Sequence, residues 1–239
     1  MKVFRVNDIF YSLQGEGYNT GRAAVFVRFA GCNLRCPFCD TEFDSYREMT
    51  AEEIVDAISS YLDSWEFEDC RGYGSTPIPP HPQEKTPRTS YLAPRKMVIL
   101  TGGEPTLQVD EAFVELLHQH GYEVAMESNG TRPAPENLDW LTVSPKVNEK
   151  LEMRNEKWGM KNEKCHQPDE IKIVFDENTD PAAIISHSSF LIPHLLYLQP
   201  CDTGDAERNA AIIARCIDYI KMHPQWRLSL QTHKLVGFK

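Results

Sequence analysis

An apolar, β-rich run, Ala23–Ala30 (AAVFVRFA), leads straight into Gly31-Cys32-Asn33-Leu34-Arg35-Cys36-Pro37-Phe38-Cys39-Asp40. A strand that ends in a Cys-x3-Cys-x2-Cys loop constrains the fold more than any other feature of the chain. The fold has to display three thiols at one strand end, on a loop too short to place them anywhere else.

The text that follows alternates strand with helix. Thr50 and Glu53 form a capping-box pattern, and Ile54, Val55, Ile58, Tyr61 and Leu62 recur at helical spacing, predicting an amphipathic helix from Ala51 to about Ser64. Lys96–Leu100, Tyr122–Met126, Trp140–Val143, Glu170–Phe175 and Leu195–Leu198 read as strands. Glu111–His120, stopped by Gly121, and Ala206–Met222, ended by Pro224, read as helices. Such alternation predicts an α/β fold with a largely parallel sheet, whose ligands gather beyond the carboxyl ends of the strands. Two stretches break the pattern: a Pro-rich loop at about 65–95 and a charged stretch at about 147–169. Both are expected to be insertions within a single domain covering 1–239.

Three thiolates at this spacing can each ligate one iron of an inorganic cube. Electron-carrier [4Fe–4S] clusters take four cysteines, so three leave one iron open to a ligand. The alternatives are a structural zinc site and coincidence. Zinc usually draws four Cys or His ligands in paired motifs, and no second pair lies near. The other cysteines, Cys70, Cys165, Cys201 and Cys216, are scattered; with an odd total of seven, this argues against a disulfide framework.

The formal net charge of −10 disfavours sequence-independent nucleic-acid binding, which needs a basic face. The first residues lack the apolar core and cleavage site of a secretion signal, and no run approaches the ~18 apolar residues of a membrane span. A cytoplasmic protein with reduced thiols is the expectation.

Other motifs sit at strand ends. Thr101-Gly102-Gly103-Glu104-Pro105 follows the second core strand, where glycines let backbone approach a ligand, although a tight turn alone would also use them. Glu127-Ser128-Asn129-Gly130, Ser144-Pro145-Lys146 and Gln199-Pro200-Cys201-Asp202 end later strands, as turn formers or as ligand contacts. Leu13-Gln14-Gly15-Glu16-Gly17 offers an amide, free backbone and a carboxylate to a polar heterocycle. Arg28, inside an apolar strand, wants an anionic partner.

The cysteine loop, with the Gly-Gly-Glu segment, resembles the radical S-adenosylmethionine (SAM) superfamily. Its members carry a partial, incomplete TIM-like barrel with mostly parallel strands. There, SAM chelates the open iron and reductive cleavage yields a 5′-deoxyadenosyl radical. With Gln14–Gly17, Arg28, Cys39-Asp40-Thr41, Ser144–Lys146 and the C-terminal Trp226–Lys234, the chain resembles the 7-carboxy-7-deazaguanine synthase family end to end, apart from the two insertions.

The resemblance implies a radical SAM lyase that converts 6-carboxy-5,6,7,8-tetrahydropterin to 7-carboxy-7-deazaguanine with loss of ammonia, toward queuosine. It implies that Cys32, Cys36 and Cys39 bind the cluster. Phe38, Cys39, Asp40, Gly103, Ser144, Pro145, Lys146, Gln199, Pro200, Cys201 and Asp202 would lie along SAM. Leu13, Gln14, Gly15 and Thr101 would contact the pterin, Arg28 would hold its carboxylate, and Glu16 is a further candidate. Thr41 would ligate Mg2+, and Glu104 belongs to the motif that holds the amino group of SAM. A homodimer and an electron donor such as flavodoxin or ferredoxin are also implied, with neither nucleic acid nor membrane as partner. The family pattern can end in a carboxylate near substrate; here Gly237 and the terminal Lys239 depart from it, which puts a contact by Lys239 in doubt. Two rivals stay open: an activase taking hydrogen from a partner protein, and a non-enzymatic iron–sulfur electron carrier that would need a fourth ligand.

Overall fold

The period-2 pattern of each strand builds two different faces. Along β2 (Ala23–Phe29), Val25, Val27 and Phe29 point one way and Ala24, Phe26 and Arg28 the other. The computed structural model describes residues 2–36, 39, 45–66, 96–146, 167–187 and 193–238. Among them nine strands form one sheet in the order β3-β1-β2-β4-β5-β6-β7-β8-β9. These are β1 (Val3–Leu13), β2, β3 (Arg47–Thr50), β4 (Met97–Gly102), β5 (Glu123–Ser128), β6 (Trp140–Val143), β7 (Glu170–Phe175), β8 (Leu195–Pro200) and β9 (Trp226–Leu228). From β2 to β9 every neighbouring pair is parallel, and β1 runs antiparallel to both β2 and β3. The sheet is open, a mostly parallel α/β arrangement as the alternation predicts.

The helices are α1 (Ala51–Glu66), α2 (Glu111–Gln119), α3 (Pro181–His187), α4 (Ala206–Met222) and α5 (Thr232–Val236). The outer face of the sheet, with Val98, Leu100, Val124, Met126, Leu141, Ile171, Ile173 and Leu198, packs against Ile54, Ile58, Phe113, Leu117 and Ile212 of α1, α2 and α4. Burying one such side chain contributes about 1.5–3 kcal/mol, so this layer supplies most of the driving force. The capping box holds as expected: Thr50 N donates to Glu53 Oε2 at 2.7 Å, and Glu53 N to Thr50 Oγ1 at 3.2 Å.

The inner face changes character along the strands. Near the amino ends Ala24, Met97, Ile99 and Ala125 form a small apolar cluster with Phe26 and Trp140. One step toward the carboxyl ends the same face carries Arg28, Thr101, Glu127, Lys172 and Gln199. The parity that buries the core therefore also puts the charged side chains together at the carboxyl end.

Several expected boundaries move. The strand expected over Lys96–Leu100 is β4 and runs on to Gly102, Tyr122–Met126 is displaced to β5, and Leu195–Leu198 extends to Pro200 as β8. In each case ladder pairing with a neighbour carries the strand into its polar end. The helix expected to reach His120 stops at Gln119, with His120 as C-cap and Gly121 at φ +79°. Strands β1, β3 and β9 and helices α3 and α5 are not evident from periodicity, being either short or, for β1, mixed in polarity. Most of the 65–95 and 147–169 stretches lies outside the described residues. Asp169 is an exception and belongs to the fold, its N–H donating to Leu141 O at 2.9 Å and its carboxylate accepting from Leu141 N at 2.7 Å.

Leu141, fully buried in the interior strand β6, tests the packing account. Leu141→Ala is expected to lower unfolding free energy by about 2–5 kcal/mol, read as a lower urea midpoint at unchanged slope. An unchanged midpoint would contradict the assigned core.

Candidate functional site

A cavity of about 290 Å³ opens beyond the carboxyl ends of the parallel strands. Strand register fixes one side of it. Arg28 on β2 pairs with Thr101 on β4, and the adjacent β4–β5 ladder brings Glu127 to the next strand at the same level. The Arg28 guanidinium lies over the Phe10 ring, 5.2 Å from its centroid, and Phe10 stacks on Phe26 at 5.0 Å. This aromatic backing holds the guanidinium against the cavity wall, with its planar fork available to an anion.

The cysteine loop forms the opposite rim, and backbone pairing seats it there. Gly103 N donates to Phe29 O at 2.8 Å and Glu104 N to Gly31 O at 2.9 Å. The approach is so close that a Cβ on Gly103 would stand 2.0 Å from Gly31 O, and Gly102 adopts φ +111°. Only glycine fits either position. The carboxylate of Glu104 does not face the cavity. It is fully buried, accepting from Ser128 Oγ at 2.8 Å, Asn129 N at 2.7 Å, and Thr106 N and Oγ1 at 3.1 and 2.7 Å. The Gly-Gly-Glu segment thus presents Gly102 and Gly103 to the cavity, while its carboxylate organises the neighbouring strand ends.

Cys32, Cys36 and Cys39 all line this cavity. Cys32 Sγ receives Leu34 N at 3.4 Å and Asn129 Nδ2 at 3.8 Å, donors that suit a thiolate. Cys39 N donates to Cys36 O at 3.2 Å, closing the turn between the last two thiols. Burial raises the Cys32 and Cys36 thiols above their ordinary value in the metal-free chain. Among the described residues no three His, Cys, Asp or Glu groups stand close enough for a single ion. Three thiols lining one cavity, with no paired Cys or His motif beside them among the described residues, are a donor set that suits an iron–sulfur cluster with one iron per thiolate. Cys32, Cys36 and Cys39 are the residues that would hold such a group.

The third wall is charged. Lys172 Nζ donates to Glu16 Oε2 at 2.6 Å and to Glu127 Oε2 at 3.0 Å. Gln14 Nε2 donates to Glu127 Oε1 and Gln231 Nε2 to Glu16 Oε1, both at 3.1 Å. Burial opposes ionisation of Glu16, yet the Lys172 ammonium outweighs it and holds the group at about 2. Glu127 goes the other way, raised by burial more than Lys172 can offset. The segment around α5 closes the wall: Thr232 N and Oγ1 both donate to Gly15 O at 3.0 Å, and Gly17 N donates to Ser229 Oγ at 3.0 Å.

No protein-family model matches the sequence. A protein named 7-carboxy-7-deazaguanine synthase from Bacteroides thetaiotaomicron is 39% identical over 235 residues, covering 98% of each chain. Another of the same name from Nitratidesulfovibrio vulgaris is 36% identical over 249 residues, again covering 98% of each. The chain belongs to the 7-carboxy-7-deazaguanine synthase family. A solved structure, QueE from Escherichia coli, shares the fold with a TM-score of 0.62 at 24% identity, covering 95% of this chain and 93% of that one.

Of the residues that the synthase family suggests, Leu13, Gln14, Gly15, Arg28, Thr101, Gly103, Ser144, Lys146, Gln199, Pro200, Cys201 and Asp202 line the same cavity as the three thiols. Pro145 is buried and does not line it. Lys146 Nζ donates to Ser144 Oγ at 2.5 Å. Gln199 Oε1 accepts from Ser229 Oγ at 2.9 Å. Asp202 is held at about 2, chiefly by the backbone N–H of Gly204, with Lys234 and Asn209 contributing. Phe38, Asp40, Thr41 and Lys239 lie outside the described residues. Lys172, Gln231 and His233 also line the cavity; Gln231 and His233 fall in the C-terminal stretch that carries the family resemblance, which assigns them no role. Lys172 was legible only as a charge in an apolar strand, the signal that singled out Arg28.

Glu170, the preceding inner-face residue on β7, accepts from Tyr18 N at 2.9 Å. Burial first, then the charge of Glu127, raises it from 4.5 to about 7. Between those values the folded chain keeps a proton that the unfolded chain has released, so stability falls as pH rises through this window, by about 3 kcal/mol at most. Glu170→Gln is expected to flatten that fall in chemical-denaturation curves at pH 5 and pH 7. An unaltered pH dependence would contradict the assignment.

Proposed function

We propose that this chain is a radical SAM lyase converting 6-carboxy-5,6,7,8-tetrahydropterin to 7-carboxy-7-deazaguanine with release of ammonia, in 7-deazapurine (queuosine) biosynthesis. One observation carries the reading beyond family membership. Arg28, backed by Phe10, shares a cavity with the three thiols and with a carboxylate–amide wall. That cavity matches a flat heterocycle with a carboxylate at one end and N–H groups at the other.

In this reading Cys32, Cys36 and Cys39 hold a [4Fe–4S] cluster, and the ends of β4, β6 and β8 hold SAM through Gly103, Ser144–Lys146 and Gln199–Asp202. Bound there, cluster and SAM supply the one-electron chemistry that takes a hydrogen atom from carbon. The protein supplies position and exclusion of water. Arg28 pairs with the substrate carboxylate as a fork, and its aromatic backing keeps the fork from turning. Thr101, on the neighbouring strand, stands beside that carboxylate. Leu13, Gln14 and Gly15 cover the ring from the loop after β1, and the α5 segment pins that loop by its bonds to Gly15 and Gly17. With substrate and cofactor held together behind Leu13, Gln14 and Gly15, the hydrogen atom taken could return to the rearranged skeleton before the lost ring nitrogen leaves as ammonia.

The same reading includes Mg2+ ligated by Thr41, a homodimer, a donor such as flavodoxin or ferredoxin, and a cytoplasmic setting; these rest on the family resemblance. Among the described residues no helix is long and apolar enough to cross a membrane.

The test is an anaerobic assay of the reconstituted protein with SAM, dithionite and 6-carboxytetrahydropterin, with and without Mg2+. The expected result is 7-carboxy-7-deazaguanine, abolished in Cys32→Ala and reduced without Mg2+. Arg28→Ala should raise KM about ten- to a hundredfold through loss of the charge-assisted pair. SAM cleavage to 5′-deoxyadenosine without pterin product would overturn the substrate and favour a protein partner.

A further inference from the structure

Lys172 is 4% exposed, on the inner face of β7, and the reaction as described gives it no task. A lysine ammonium is costly to bury and persists only where its partners hold it. Its partners come from distant parts of the chain: Glu16 from the loop after β1, at 2.6 Å, and Glu127 from the end of β5, at 3.0 Å. Two carboxylates share one ammonium, and Lys146 also acts on Glu127.

The two carboxylates are not equivalent. Glu16 is clamped by Lys172 and Gln231 and is firmly ionised. Glu127 takes Lys172 on one oxygen and Gln14 on the other, and each oxygen keeps a further lone pair. Glu127 also sits at the level of Arg28 and Thr101 on the inner face, and all three line the cavity. From β2 to β5 is two strand spacings, roughly 10 Å, the scale of a bicyclic heterocycle bearing a carboxylate.

We propose that Lys172 is a positioning residue. Through its hydrogen bond to one oxygen it holds the Glu127 carboxylate in place to accept two N–H groups from the 2-amino-4-oxopyrimidine edge of the substrate, while Arg28 holds the carboxylate at the other end. Glu16 is the counter-clamp that keeps Lys172 in place. This inference rests on the pterin reading above. It adds what recognises the far edge of the ring, and why a lysine is buried beside it.

Steady-state kinetics of Lys172→Met, Glu127→Gln and the double variant test it. Lys172→Met should raise KM for the pterin at least about tenfold, the loss expected for a hydrogen bond to a charged group, with a smaller change in kcat and unaltered iron content. The groups facing Glu127 are Glu16, Glu170, Lys146 and Lys172. Without Lys172 the carboxylate ionises only at higher pH, so the acid limb of kcat/KM should move upward. In the Glu127→Gln background, Lys172→Met should add little, because the lysine acts through that carboxylate. Unchanged KM in Lys172→Met, or effects that simply multiply in the double variant, would overturn the proposal. If Lys172→Met alone does not fold, Glu127→Gln and the double variant still decide. The double variant removes one charge of each sign, and a further rise in KM over Glu127→Gln would count against Lys172. Failure of the pterin reading itself shows in the wild type, as SAM cleavage without product, before any variant is compared.

Discussion

The buried carboxylate of Glu104 holds the working end of this sheet together. It accepts hydrogen bonds from Ser128, Asn129 and Thr106, so the ends of β4 and β5 are tied through one side chain. Asn129, so placed, donates to Cys32 Sγ and to Asn33 Oδ1, the latter at 3.0 Å. On the other side, the backbone of Gly103 and Glu104 pairs with Phe29 and Gly31 and draws the cysteine loop down onto the strand ends. Removing the carboxylate would leave Ser128 Oγ and Asn129 N without their partner in a dry interior. The rim of the cavity, the thiol environment and the β4–β5 alignment therefore depend on a buried group that does not line the cavity.

This arrangement explains why the Gly-Gly-Glu motif reads as it does. Its glycines are needed because backbone meets backbone, and its glutamate because several strand-end donors converge. The substrate side is built by different means. Strand parity alone puts Arg28, Thr101, Glu127 and Lys172 on the inner face, and the same parity buries Val27, Leu100, Met126 and Ile173 on the outer one. One register thus specifies both core and site, and a slip of one residue would exchange them.

Much of this was legible in the sequence because the strong signals are local. The capping box of α1, the span of α4, and the cysteine loop after β2 all rest on residues within a few positions of each other. The weak points are the elements whose reason for existing is tertiary. β3 and β9 are short edge strands that pair with β1 and β8. The α5 segment follows no apolar period but is held by Gly15 and Gly17 from the other end of the chain. Arg28 could be singled out because an arginine in an apolar strand is conspicuous. Lys172 carried the same signal, but its partners, 156 and 45 positions away, could not be found by spacing. Pro145 was placed with its neighbours by motif, and the structure buries it while Ser144 and Lys146 face the cavity.

The proposed function depends on the three thiols of this rim holding a four-iron cluster in which one iron has no protein ligand. Mössbauer spectroscopy of the 57Fe-reconstituted protein, before and after SAM addition, tests it most directly. The account predicts that SAM shifts the signal of a single iron out of four toward higher coordination, leaving the other three in place. Four irons that do not respond to SAM, or a spectrum of a two-iron or mononuclear centre, would contradict it.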